Sequence, residues 1–220
     1  MSGKKRVLCF GDSLTWGWMP VNGVVPTTRY PYEQRWTGVA AARLGEGFEL
    51  IEEALSGRTT DVDDPTDPRL NGSTYLPSAL ASHLPLDLVI LQLGTNDTKT
   101  YFHRSAYDIA VGMSKLMIQV ATSAGGVGTA YPAPRMLVIA PPPLGDMTDP
   151  WVQLTFDGAQ AKSRQIASHY AALTGFFKAD FLNAGDFLTT DGVDGIHLTP
   201  ENNRALGTAI AEKIRAILPP

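Results

Sequence analysis

The sequence predicts an α/β protein with helices on both faces of a doubly wound parallel sheet, and three observations carry that reading. Short apolar, β-branched runs alternate with longer segments of helical period along all 220 residues. The run Leu88-Val89-Ile90-Leu91 is apolar on both faces, as a central strand covered from each side must be. Long loops follow predicted strands, at the carboxyl edge where open parallel sheets gather their ligand sites.

In order, strands are expected at 7–10, 50–51, 88–93, 136–140 and 176–182. Helices are expected at 33–44, 73–83, 106–123, 156–173 and 200–217, the last marked by Thr199 as N-cap and Pro200 in its first turn. Segments 19–32, 57–72 and 141–150 read as loops at the carboxyl ends of strands. Segment 125–134 precedes its strand and belongs on the opposite edge, where subunit contact suits it better than substrate.

Composition narrows the function classes. A chain of this length fits one domain, residues 1–220, with one core. A hydrophobic share of 44% with 18% charged residues is ordinary, and no run of about 18 apolar residues exists to span a bilayer. The net charge of -4 is scattered, which leaves no footprint for nucleic acid. Cys9, the only cysteine, lies in an apolar run and reads as a small core hydrophobe; it cannot form an internal disulfide. Lys4, Lys5 and Arg6 lead into an apolar stretch too short for a secretory signal, so cytoplasmic residence is expected.

Four segments carry chemistry. Phe10-Gly11-Asp12-Ser13-Leu14 ends the first strand and presents a serine at a helix N-terminus, where backbone N–H groups and the helix dipole can stabilise an oxyanion; alone, Ser13 could simply cap that helix. Asp191-Gly192-Val193-Asp194-Gly195-Ile196-His197 sets a carboxylate three residues before a histidine, so that one aspartate can fix the imidazole tautomer and leave Nε2 free for a serine proton. Asp191 competes with Asp194 for that task, and both could be imagined with His197 as metal ligands, but no further histidine or acidic cluster completes a shell. Leu93-Gly94-Thr95-Asn96-Asp97 follows the most apolar strand; Asn96 can donate to an oxyanion, and Asp97 reads as a cap for the next helix. Leu55-Ser56-Gly57-Arg58-Thr59 offers a glycine N–H and is otherwise a turn signal. Together the four make a consistent set for acyl transfer, which none makes alone.

In order, Gly11-Asp12-Ser13-Leu14, Gly57, Gly94-Thr95-Asn96-Asp97 and Asp194-Gly195-Ile196-His197 resemble the four blocks of the SGNH (GDSL) hydrolase family. The segments Phe-Gly-Asp-Ser-Leu-Thr-Trp-Gly-Trp, Asp-Asp-Pro-Thr-Asp-Pro-Arg-Leu-Asn-Gly and Thr-Asp-Gly-Val-Asp-Gly-Ile-His extend the likeness to its mycobacterial arylesterase/acyltransferase subgroup over essentially the whole chain. The resemblance implies a three-layer, flavodoxin-like, five-stranded parallel sheet. It implies Ser13 as nucleophile, His197 as base and Asp194 as its orienter, with the Ser13 and Gly57 N–H groups and the Asn96 amide as oxyanion hole. It also implies action on short acyl esters with transfer to water, alcohols or peroxide, assembly as a homo-octamer, and no cofactor or metal. Trp16 is expected to wall an apolar channel, with Leu14, Trp151 and Phe156 as further candidates; Asp12 and Ile196 are counted among the substrate contacts. A carbohydrate deacetylase or thioesterase is the alternative within the family. An idle binding protein would have no need for Ser13, Asn96, Asp194 and His197 together.

Overall fold

A computed structural model describes residues 3–21, 27–190 and 192–219. Five strands, β1 (Lys5–Gly11), β2 (Phe48–Ala54), β3 (Leu88–Gln92), β4 (Arg135–Ala140) and β5 (Asp180–Asn183), form one parallel sheet in the order β2-β1-β3-β4-β5. The chain winds outward from β1 to β2, then crosses back to β3 and winds the other way. The reversal leaves a crevice beyond the carboxyl ends of β1 and β3, the switch point where such sheets bind ligands.

Alternation along the strands divides the core. Val7 and Cys9 of β1, Ile90 of β3 and Ile139 of β4 pack with α2 (Trp36–Leu44) and α7 (Pro200–Ile217). Leu8 and Phe10, Val89 and Leu91, and Val138 pack with α3 (Gly72–His83), α4 (Ala106–Ala121) and α6 (Ala159–Phe177). The sheet is thus the middle of three layers, with an apolar face toward each helical layer. Residues Leu206, Ile210, Ile214 and Ile217 line the buried stripe of α7 at helical spacing. Two short helices, α1 (Ser13–Trp16) and α5 (Pro150–Thr155), sit at the carboxyl edge of the sheet's connections.

The differences from the predicted elements have local causes. The helix expected at 33–44 begins at Trp36, because Tyr32–Gln34 form a 3-10 turn and Arg35 is extended between them. The helix expected at 156–173 is α6, which starts only after Gly158, at φ +70°; ahead of it lies α5, a helix not expected from the sequence, where Asp149 caps the N–H groups of Trp151 and Val152. Phe176 and Phe177, assigned to the last strand, are the final turn of α6, which ends at a left-handed Lys178; β5 starts only at Asp180. The Thr199 and Pro200 start of α7 matches the expectation. Among the described residues no helix is long and apolar enough to cross a membrane.

Helices α2 and α7 meet where α7 has Gly207. A Cβ there would lie 2.6 Å from the Trp36 carbonyl oxygen and 2.8 Å from Val39 Cβ. Gly207→Ala gains up to about 1 kcal/mol of helix propensity but drives a methyl into backbone, and overpacking of this kind costs roughly 1–3 kcal/mol. A net loss of about 1–2 kcal/mol is expected, read as a lower urea midpoint at unchanged slope; an unchanged midpoint would mean that the two helices separate without penalty.

Candidate active site

Gly11 ends β1 because any side chain there would overlap Thr15, whose Oγ1 donates to Gln92 Oε1 at 2.9 Å. Asp12 then caps the single turn of α1, Oδ1 accepting the Leu14 N–H at 2.9 Å. Ser13 is the first residue of that turn, so its N–H has no intrahelical acceptor, and none is found for it elsewhere among the described residues.

Ser13 Oγ lies 3.0 Å from His197 Nε2, and His197 Nδ1 lies 2.6 Å from Asp194 Oδ2. The other Asp194 oxygen accepts the N–H groups of Ile196 at 3.0 Å and His197 at 2.8 Å. Burial works against the Asp194 charge but is outweighed by these bonds and by the electrostatic attraction of the His197 ring, which hold the carboxyl below its ordinary range. An ionised Asp194 places the ring proton on Nδ1 and leaves the Nε2 lone pair toward Ser13. Asp191, the competitor, lies outside the described residues.

The opposite wall is built from the ends of β2 and β3. Gly57 sits at φ +89°, a conformation side chains disfavour, and its N–H likewise has no partner among the described residues. After β3, Gly94 at φ +125° lets Tyr170 come close: a Cβ would lie 2.7 Å from the tyrosine oxygen, which donates to the Leu93 carbonyl at 3.0 Å. That turn delivers Asn96, whose Nδ2 donates to Asp12 Oδ2 at 3.3 Å and to the Arg58 carbonyl at 3.2 Å. Arg58 is buried; its guanidinium donates to the carbonyls of Gly11 at 3.0 Å and Glu53 at 2.5 Å and lies 4.3 Å from the Phe10 ring centroid. Asp97 does not cap a helix as expected. It accepts the Thr60 N–H at 3.0 Å and hydroxyl at 2.5 Å and pairs with Arg104 at 2.8 Å, tying the loop after β3 to the loop after β2.

Ser13, Gly57, Asn96, Asp194, Ile196 and His197 open onto one cavity of about 470 Å³, which Trp151 and Phe156 also line. Three candidates do not reach it. Leu14 is buried in the core with Trp36, Asp12 is buried beneath Ser13, and Trp16 packs against the Arg29 guanidinium, 5.2 Å from its centroid. Trp18 lines the wall instead, its ring stacked on His197 with centroids 5.1 Å apart. Val21, Ser56, Lys99, Thr148, Asp149 and Val152 complete the lining and were not singled out from sequence; Trp18, in the same block as Ser13, was the one with a readable signal. Among the described residues no group of three or more His, Cys, Asp or Glu is arranged to hold a metal ion.

A three-layer sheet of this order, with a hydrogen-bonded serine, histidine and aspartate at its switch point, defines the class as an ester hydrolase. The model of the GDSL-like lipase/acylhydrolase family matches residues 9–205, and the chain belongs to that family. It is similar to a carbohydrate acetylesterase from Sinorhizobium meliloti, with 64% identity and a TM-score of 0.96, covering 98% of this chain and 100% of the other. It is also similar to the native aryl esterase of M. smegmatis, with 62% identity, a TM-score of 0.96 and coverage of 97% and 100%. A second carbohydrate acetylesterase family member from S. meliloti aligns at 34% identity and a TM-score of 0.90, over 97% of this chain and 99% of the other. Among curated proteins no sequence matched.

Burial pushes the Asp12 carboxyl up to about 7, against the Leu14 hydrogen bond; the nearby Asp97 charge adds to the rise and Arg58 opposes it. A carboxyl raised in the folded state stabilises it when protonated. That contribution is full below the unfolded value and is lost as pH rises through about 7. The stability of the wild type relative to Asp12→Asn is therefore expected to drop by roughly 4 kcal/mol between pH 4 and pH 8, in urea titrations of both proteins. Any fixed cost of an amide facing Asn96 cancels in that comparison, and a gap independent of pH would mean that Asp12 is ionised throughout.

Proposed function

We propose that the protein is a serine esterase that cleaves short-chain aryl and alkyl esters through an acyl-serine intermediate and passes the acyl group to water or to an alcohol. The observation that carries this reading is the unbroken hydrogen-bonded chain from Ser13 through His197 to Asp194, facing a mainly apolar cavity.

His197 Nε2 takes the Ser13 proton as Oγ bonds to the ester carbonyl carbon, and the carbonyl oxygen becomes an oxyanion. The unpartnered N–H groups of Ser13 and Gly57 and the amide of Asn96 are the donors for it, with Asn96 exchanging one of its long bonds to Asp12 or Arg58 for the shorter, charge-assisted one. His197 gives the proton to the leaving alkoxide as the C–O bond breaks. Water, alcohol or peroxide then loses a proton to His197 as it attacks the acyl-serine, and His197 returns that proton to Ser13 Oγ as the Oγ–C bond breaks, releasing acid, ester or peracid. A wall of Trp18, Val21, Trp151, Val152 and Phe156 favours an organic acceptor over water. Trp151 and Leu154 are 76% and 69% exposed beside the cavity, which supports a homo-oligomeric assembly covering that edge, the octamer of the subgroup included.

A sugar acetate is the second reading, favoured by the 64% identity to a carbohydrate acetylesterase and by Lys99, Thr148 and Asp149 on the cavity wall. Turnover of acetylated sugars exceeding that of p-nitrophenyl acetate would establish it.

Ser13→Ala is expected to lower p-nitrophenyl acetate turnover by at least about a thousandfold. Retained turnover would remove Ser13 from the mechanism. Asn96→Ala is expected to lower kcat by about 10²–10³, as the loss of one oxyanion donor does, with little change in KM. With a primary alcohol present, the wild type should yield the transfer ester in mostly aqueous buffer; acid as the sole product would leave a plain hydrolase.

A further inference from the structure

Trp18 does more than face the cavity. Its indole and the His197 imidazole lie 20° from parallel with centroids 5.1 Å apart, an offset stack that covers one face of the imidazole. The stack is held in place from behind. Trp18 N–H donates to the Ser13 carbonyl at 3.1 Å, and its backbone bridges Arg29. Trp16, 6.3 Å away, carries the Arg29 guanidinium on its ring and accepts from it through its carbonyl at 2.5 Å. Arg29 is fixed in turn by Glu52 of β2 at 2.7 Å. An ion pair on the sheet thus sets the position of an aromatic face against His197.

We propose that Trp18 is a positioning residue that stabilises the imidazolium formed on His197 during acyl transfer, and that it keeps water from that face of the ring. This rests on the reading of His197 as base. When Oγ–C forms, the Ser13 proton moves to Nε2 and the ring becomes a cation; when the leaving-group C–O bond breaks, the proton departs with the alcohol and the ring is neutral again. The attraction between a cation and a π face is therefore strongest in the intermediate and weak in the resting enzyme, as an effect on rate requires. An aliphatic side chain would line the cavity equally well and would supply none of it.

Among the described residues none of the other charged or titratable groups around His197 is hydrogen-bonded to the Trp18 indole. Those groups are Asp194 on its own loop, Tyr30 beside Asp194, Glu201 at the start of α7 beside Tyr30, Asp12 beneath Ser13, and Lys99 and Asp149 on the cavity wall. A change in His197 titration on replacing Trp18 is then assignable to the indole.

The test compares wild type, Trp18→Phe and Trp18→Leu. The ring C–H protons of His197, identified by their loss in His197→Asn, are titrated by proton NMR, and kcat/KM for p-nitrophenyl acetate is measured against pH. In Trp18→Leu, His197 is expected to titrate roughly 0.4 to 1.5 pH units below wild type, with the acid limb of the rate profile following it. The plateau kcat is expected to fall by about 3- to 30-fold, and Trp18→Phe to restore most of both. Titration coinciding with wild type, with KM alone altered, would overturn the proposal and leave Trp18 a wall. A shifted titration that the rate profile does not follow would uphold the stack and sink His197 as base. Trp18→Met, apolar and without a π face, serves where the leucine variant does not fold.

Discussion

The arrangement at the switch point depends on a carboxylate with almost no access to water. Asp12, 1% exposed, caps α1 through the Leu14 N–H, receives the Asn96 amide and sits near the buried Arg58. Through these contacts it joins the ends of β1, β2 and β3. Arg58 closes the circuit, since its guanidinium holds the Gly11 carbonyl and its own carbonyl accepts from Asn96. Burying a carboxyl with no direct ion pair works against its charge, which is why its pKa rises toward 7. A hydrophobic residue at position 12 would remove that penalty, but it would leave the Leu14 N–H without its cap and Asn96 without its anchor. The polar cluster is explained by the registry it imposes on three loops, and not by any net gain in stability.

The same registry explains how short-range sequence signals could locate the site while missing its interior. Strand ends and glycines are local: Gly11, Gly57 and Gly94 each mark a turn, and the blocks that follow bring Ser13, Asn96 and, from far along the chain, His197 to one crevice. The start of α7 was readable because Thr199 and Pro200 state it in two adjacent residues. Asp149 and Pro150 carry the same signal for α5, at the end of the loop expected over 141–150. The aromatic pair at 176 and 177 resembled a strand because β propensity is chiefly a preference for half-buried surfaces; in the fold these residues end a helix, with Phe176 largely exposed.

Trp16 and Trp18 illustrate the limit of reasoning from proximity in sequence. Both lie within five residues of Ser13, and nothing in composition separates them. Their environments diverge because α1 is one turn long and ends at a left-handed Gly17, after which the chain is extended at Trp18 and pairs with Arg29. Which indole meets the imidazole is decided by that reversal and by an arginine anchored on β2. Asp97 is a parallel case: a cap was the local expectation, but Thr60 and Arg104 are better partners and become available only once the loops meet.

The histidine loop is supported from the other side by a small separate cluster. Leu144, Met147, Phe156, Ala159 and Ile196 pack together, and Gly145 N–H donates to the Gly195 carbonyl at 2.8 Å. Gly195, at φ +76°, lies so close to the Asp146 backbone that a Cβ would approach its oxygen at 2.5 Å. The loop after β4 and the first residue of α6 therefore clamp the two residues before His197, while Asp194 holds the ring through one hydrogen bond to Nδ1 and the backbone through the N–H groups of Ile196 and His197. Ser13 is held independently by β1 and α1. The 3.0 Å gap between Ser13 Oγ and His197 Nε2 is thus the meeting of two separately braced bodies across the crevice, a geometry formed before substrate arrives. A pair braced in this way needs no closure to align it, which leaves the loops around the cavity free to vary in the acyl groups and acceptors they admit.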